Sequence, residues 1–373
     1  MSPDTQVPTT ALTVRTSRSR EEWDALVDRF GGHPLQLWGW GQVKAEHQWR
    51  TERLVVEEEA HDGAGSASVV GVAQVLYRAL PWPLKSLAYL SRGPVCAPED
   101  AERVLAAVAG AVRSAHGSVA LVAEPDWEAG SAGEQGLAAA GFRRTDSTIL
   151  IPRTLILDLT QSEDELMAAM SRTTRANVRK NLKGTLEFRP VATEAELEQV
   201  LAIYRETAAR AGFGIHEDGY YRDIWRYLGD GSPVVAAFDG ADVVAFVWIA
   251  KSAGTAFELY GGVNAAGQKA RANYGVKWAA FTAMKAAGCT RYDLNGLLND
   301  GISDFKKQFA QHEDMLTGTW ELPLSPFYPV YATGMPIARR TLQQGRRVAK
   351  SAAQIGARQL AGAAGKAKAL IRR

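Results

Sequence analysis

Cysteine is almost missing from this chain. Only Cys96 and Cys289 occur in 373 residues, far apart and with no Cys or His nearby at ligand spacing. That excludes a disulfide framework and a zinc site, and no metal is expected. No uninterrupted apolar run reaches the length of a membrane span, since "PVVAAFDGADVVAFVWIA" is broken by Asp239 and Asp242. The first twenty residues lack the apolar segment of a secretory signal. A cytoplasmic protein is the expectation. Several catalytic signatures are also lacking. There is no Gly-x-Ser-x-Gly elbow and no Gly-Lys-Ser/Thr phosphate loop. "HEDGY" and "HEDML" have no second histidine, and "GFGIHE" follows a helical pattern and lacks its third glycine. Serine hydrolases, P-loop enzymes, zinc hydrolases and dinucleotide enzymes are thereby disfavoured. Acid is missing from one region as well: from Tyr331 onward there is no Asp or Glu, while Arg339, Arg340, Arg346, Arg347 and Lys350 begin a run of positive charge.

What is present describes a folded two-domain chain. Hydrophobic residues make up 46% and charged residues 23%, with a net charge of only +2. Two halves repeat one order of elements. In the first, "SREEWDALVDRF" reads as a helix capped by Ser19, followed by strands "TERLVVEEEA", "VVGVAQVLYRAL" and "LKSLAYLSRGPV". A helix over "PEDAERVLAAVAGAVRSAHG", stopping at Gly117, and the strand "SVALVAEPD" complete it. The second half opens with "EDELMAAMSRTTRANVRKNLKG", read as one helix. Helix "LEQVLAIYRETAARAG", strands "PVVAAFDG", "DVVAFVWIAK" and "AFELYGGV", helix "ANYGVKWAAFTAMKAAG" and strand "CTRYDLNGL" follow. The fold class expected is mixed α/β, with two tandem domains of similar plan at 1–152 and 153–330 and a basic helical extension at 331–373.

The unit from Phe257 to Gly288 resembles the core of the GCN5-related acyltransferase (GNAT) fold. In that fold a Gln/Arg-x-x-Gly-x-Gly/Ala turn lets backbone N–H groups approach the coenzyme A pyrophosphate at a helix start. Here the stretch is "GGVNAAGQKARANYG". Arg271 stands three residues after Gln268, and Tyr274 three after Arg271, so neither register supplies the glycine. The scaffold is present without its coenzyme A turn, and no cofactor is expected.

Three passages, "LQLWGWGQVKAEHQW", "AYLSRGPVCAPED" and the ordered series from "ELYGG" through "RYDLNGL" to "SDFKKQF", resemble the FemABX family, in its compact form without a coiled-coil arm. These are aminoacyl-tRNA-dependent transferases of peptidoglycan interpeptide bridges. The resemblance implies transfer of an amino acid from aminoacyl-tRNA to the amine of the third stem-peptide residue of lipid II or UDP-MurNAc-pentapeptide. It implies that Lys44 meets the acceptor's diphosphate and that Lys306 lies near the reacting ester, with Phe305 and Phe309 anchoring its segment. It places Tyr220 and Tyr260 in the substrate site. His216 stands where many members carry Arg, and the acid proposed as base in one member falls at Ala97; Asp100 and Glu99 lie nearby, with Asp100 the catalytic candidate. Lys44 and Lys306 each also read as lysines on a solvated helix face, and the tyrosines as core.

Arg172, Arg175, Arg179 and Lys183 form a basic helical stripe, a tRNA-contacting candidate or a plain solvated face. The basic tail suits tRNA or, as a peripheral contact at the inner membrane face, anionic lipid; sequence does not separate these. A second enzyme reading also stays open: the same tRNA-dependent transfer to a small secondary metabolite or a lipid head group.

Overall fold

The computed structural model describes residues 12–59, 67–298 and 300–334. The basic tail from residue 335 onward lies outside the described residues. Eight strands form the first sheet: β1 (Leu12–Thr16), β2 (Trp49–Glu58), β3 (Ser68–Ala79), β4 (Ser86–Ser91), β5 (Val95–Cys96), β6 (Ser118–Glu124), β7 (Arg143–Thr145) and β16 (Thr319–Pro323). Their order is β1-β2-β3-β4-β6-β16-β7, with β5 on β3. A short pair, β8 (Arg153–Thr154) with β15 (Asp314–Met315), lies apart. The second sheet contains β9 (Ile156–Asp158), β10 (Glu187–Pro190), β11 (Val234–Asp239), β12 (Asp242–Lys251), β13 (Thr255–Val263) and β14 (Arg291–Asp293), in the order β10-β11-β12-β13-β14-β9.

The repeated plan is visible in the pairing. In each half an antiparallel run of four strands, β1-β2-β3-β4 and β10-β11-β12-β13, ends beside a parallel strand, β4 with β6 and β13 with β14. A helix makes each crossover: Ala101–His116 in the first half and Ala272–Ala286 in the second. The first crossover helix buries Val104, Leu105, Val108 and Val112 at helical spacing. It stops at Gly117, which takes the left-handed φ of 57° that glycine adopts at no steric cost. The second buries Val276, Ala280, Phe281 and Met284 against Leu155, Leu157 and Tyr292.

Two expectations are corrected. The run from 163 to 183 is two helices, Glu163–Ala169 and Arg172–Leu182. Met170 between them is extended and buried, and Ser171 restarts the chain as an N-cap accepting from the Thr174 N–H. The chain also does not stay in the second half to residue 330, because β16 inserts into the first sheet between β6 and β7.

The halves meet along a close helix contact. Trp38–Glu46, a helix of the first half, lies against Asp218–Leu228 of the second, and Trp40 and Val43 pack with Tyr220, Tyr221 and Ile224 in one core. Gly39 makes the approach possible, since a Cβ there would sit 2.6 Å from the Tyr227 carbonyl oxygen. Gly39→Ala is expected to cost about 1–3 kcal/mol, the range for overpacking a tight contact. It should also raise the KM for any substrate held by Lys44 on the same helix. Urea denaturation with steady-state kinetics checks both, and a neutral substitution would mean that this seam yields freely.

Candidate functional site

Two regions, the Lys44 helix and the splay between β13 and β14, are joined through Tyr220 and Tyr260. β13 and β14 pair only from Thr255 with Arg291 to Phe257 with Asp293, and then diverge. A register shift opposite Trp248 and Ile249 leaves Leu259 unpaired between Glu258 and Tyr260, re-aiming this part of β13. A cavity of about 370 Å³ lies along the splay, lined by Tyr204, Glu258, Tyr260, Lys277, Asn295 and Lys306 among others.

Lys306 ends the helix Gly301–Lys306. Phe309 is fully buried and meets Phe305 edge-on at 5.1 Å, while Phe305 also packs edge-on to Tyr274 and lines the cavity. The Lys306 ammonium donates to the carbonyls of Asn295 at 2.7 Å and Gly296 at 3.2 Å. An ammonium has three N–H donors, so one remains for the cavity. Burial lowers its pKa to about 8, against weaker opposing attraction from Glu258.

At the other end, Lys44 donates to the Tyr220 hydroxyl at 2.7 Å and lies 4.6 Å from the Trp40 ring centroid. Among the described residues it has no carboxylate partner, and burial alone brings its pKa down to about 8. His216 stacks on Tyr220 with centroids 4.1 Å apart. Burial, followed by the charges of Lys44 and His47, holds its imidazole below the ordinary histidine value, so it is largely neutral at pH 7. The Tyr260 hydroxyl donates to that of Tyr220 and burial raises both phenols, so a row of tyrosines connects Lys44 to the cavity.

The remaining candidates divide. Asp100 does not line this cavity; it sits before the Ala101–His116 helix with its carboxylate 2.9 Å from Arg103 Nε. Of the basic stripe, Arg172, Arg179 and Lys183 are exposed. Arg175 instead donates to the carbonyls of Ala168 and Met170, tying down the end of the preceding helix.

Sequence reasoning missed five features. Trp40 and His47 flank Lys44 at four and three residues' distance, which is one face of a helix; His47 also lies 2.9 Å from Asp223. Glu258 and Lys277 form a buried ion pair in the cavity wall. Asn181 caps the start of the second crossover helix, its Oδ1 accepting from the Gly275 N–H at 3.0 Å. Arg271 supplies the left-handed turn there at φ 56° without being glycine. Lastly, His33, Asp126 and Asp293 each bring a ligand atom within 4.8 Å of the others. Asp126 pairs with Arg291, and Arg92 also acts on both acids, so two guanidiniums balance the two carboxylates.

Residues 168–307 match the family model described as an acetyltransferase (GNAT) domain. The chain is 29% identical over 245 residues to the lipid II:glycine glycyltransferase of Staphylococcus aureus, covering 61% of this chain and 56% of that protein. It superimposes on the crystal structure of FemX with a TM-score of 0.76 and 19% identity, covering 85% of this chain and 99% of that one. The chain is thus similar to Fem-type transferases in sequence and in fold. It spans about half the length of the curated relatives it matches, and its two sheets with their crossover helices follow a tandem GNAT-like plan. Among the described residues no helix is long and apolar enough to cross a membrane.

The low pKa of Lys306 gives a stability test with a definite sign. Its folded value of about 8 lies below the ordinary 10.5, so between those values the unfolded chain binds more protons and stability rises with pH. Relative to Lys306→Met, wild type should gain stability as pH rises from about 8 towards 10.5. Urea titrations of both proteins across that range check this; a constant difference would mean that Lys306 ionises as it does in water.

Proposed function

We propose that this chain transfers an amino acid from aminoacyl-tRNA to the amine of the third stem-peptide residue of a peptidoglycan precursor, lipid II or UDP-MurNAc-pentapeptide. The observation that carries the reading is the pair of half-buried lysines at the two ends of one row of tyrosines, Lys306 in the cavity and Lys44 joined to it through Tyr220 and Tyr260. Lys44, without a carboxylate partner, suits the precursor's diphosphate, and its two N–H groups not donated to Tyr220 remain for it. Lys306 suits an acyl centre. The named activity of the Staphylococcus aureus relative, with lipid II and glycine, is the same class of reaction.

The steps follow from these positions. The amine attacks the ester carbonyl carbon, forming the N–C bond while the carbonyl electron pair moves onto oxygen. The third N–H of Lys306 meets that oxyanion. Collapse restores the carbonyl, breaks the bond to the ribose oxygen and leaves an amide. A coenzyme A donor fits poorly: the Gly275 N–H at the helix start is already bonded to Asn181, and a Cβ at Gly275 would lie 2.4 Å from the Phe188 ring, so this turn is packed shut. The exposed Arg172, Arg179 and Lys183 are assigned to tRNA phosphates, and Asp100 has no part in the reaction.

A transfer assay with a panel of charged tRNAs against lipid II and its soluble precursor tests the reading directly. Activity from free amino acid plus ATP, or from acyl-coenzyme A, would sink it. Within that assay Lys306→Met should lower kcat by about a hundredfold, the scale for losing one oxyanion donor. Lys307→Met is the control and should be mild, because Lys307 pairs with Glu313 at 2.7 Å, away from the cavity. Equal activity in the two variants would return Lys306 to a structural role.

Lys44→Ala should act differently, raising the acceptor's KM more than it lowers kcat, because a diphosphate clamp supplies uniform binding. An unchanged KM would remove Lys44 from the acceptor site.

A further inference from the structure

Charge in the cavity wall is unequal. Arg210, Lys277 and Lys306 contribute three cations, and Glu258 is the one carboxylate among its lining residues. Nothing in the steps above uses Glu258. It is 6% exposed, and Lys277, 3% exposed, donates to both of its oxygens at 2.6 Å. The Tyr292 hydroxyl adds a bond to Oε2 at 3.2 Å. A carboxylate offers about four lone-pair positions, so three protein donors leave Oε1 able to accept once more. Stability alone gives little reason to keep such a pair, since apolar replacements of buried ion pairs are often neutral or better.

The transfer chemistry supplies a reason. At neutral pH the acceptor arrives as an ammonium, which must lose a proton before its nitrogen can attack. Approaching the cavity, it meets three like charges and one opposite one. Glu258 is also the strongest of the charges that favour the protonated form of Lys306, which places it in the electrostatic range of the oxyanion donor.

We propose that Glu258 is the ammonium-binding residue of the cavity and the first acceptor of the amine's proton. This rests on the aminoacyl-transfer reading above. The ammonium gives one proton to the Glu258 carboxylate, and the free amine forms the N–C bond. When the C–O bond to ribose breaks, the ribose oxygen leaves with the electron pair and takes the second proton from the new, positively charged nitrogen. Glu258 then returns its proton to solvent. Lys277 and Tyr292 hold the carboxylate in place throughout. The acceptor class this selects is a primary ammonium on a slender chain, as on a lysine-type stem residue.

Glu258→Gln alone leaves the Lys277 charge buried without its partner and is expected to destabilise the fold. The decisive protein is therefore Glu258→Leu/Lys277→Met, which removes both charges. It should keep a Tm within a few degrees of wild type yet transfer about a hundredfold more slowly, the lower range for losing a general base. A second measurement stands apart from transfer: saturation-transfer NMR with n-butylamine, which should bind wild type and not the double variant. Transfer by the double variant within a few-fold of wild type would overturn the proposal. So would n-butylamine binding that is absent from wild type or unchanged by the substitutions. If wild type transfers to no stem-peptide acceptor, the aminoacyl-transfer reading fails, while the amine-binding comparison still decides whether Glu258 recognises an ammonium.

Discussion

The cavity depends on one buried carboxylate. Asp293, at the end of β14, accepts from the Thr154 hydroxyl and from the Asn295 N–H at 2.7 Å with the same oxygen. The second bond closes an Asx turn and fixes Asn295 at φ 59°, in the left-handed region that Asn tolerates better than most residues. Two consequences follow. The Asn295 carbonyl is aimed at the Lys306 ammonium, and its side-chain amide donates to the Glu258 carbonyl at 3.0 Å across the splay. Both walls of the cavity are therefore set by one side chain. Burial raises the Asp293 pKa, and the Arg92 and Arg291 guanidiniums partly offset that rise.

Those guanidiniums also register the two halves. Arg291 neighbours Asp293 on β14 and pairs with Asp126 of the first half, while Arg92 and His33 reach the same cluster from loops of that half. The splay thus cannot move freely relative to the first sheet. The Lys44 helix is tied in the same way, through Gly39 against the Tyr227 carbonyl and through the Lys44 bond to Tyr220. A site assembled from one half's helix and the other half's sheet needs both ties, because its two lysines belong to different halves.

Much of this was legible in the sequence, for physical reasons that differ by element. Repeated strand and helix periods gave the two halves, and Ser19 and Gly117 marked helix ends correctly because caps are local chemistry. The Phe-Lys-x-x-Phe spacing placed Phe309 in the core, whereas only the family resemblance pointed to Lys306, which the structure places in the cavity wall. The break at Met170 and Ser171 was hidden because polar residues continued a helical pattern across it. The return of β16 to the first sheet was not legible, since pairing over such a separation leaves no local trace. Glu258 was missed for a related reason: in "AFELYGG" an acid at strand alternation reads as solvent-facing, and only a lysine nineteen residues on makes its burial tolerable.

The helix Arg172–Leu182 shows how the GNAT scaffold accommodates a different donor in this reading. Asn177 and Asn181, four residues apart, face inward: one accepts from Arg271 at 2.9 Å and the other caps Gly275. Together they brace the turn that in an acyl-coenzyme A enzyme lies open to pyrophosphate. Arg172 and Arg179, seven residues apart, return to nearly the same angle on the opposite, exposed face. One helix thereby closes the turn before the second crossover helix with its asparagines and presents positive charge to solvent with its arginines. Under the proposed function, a donor whose phosphates run along a polynucleotide would meet that outer face without needing the closed turn, and the same helix would serve both ends.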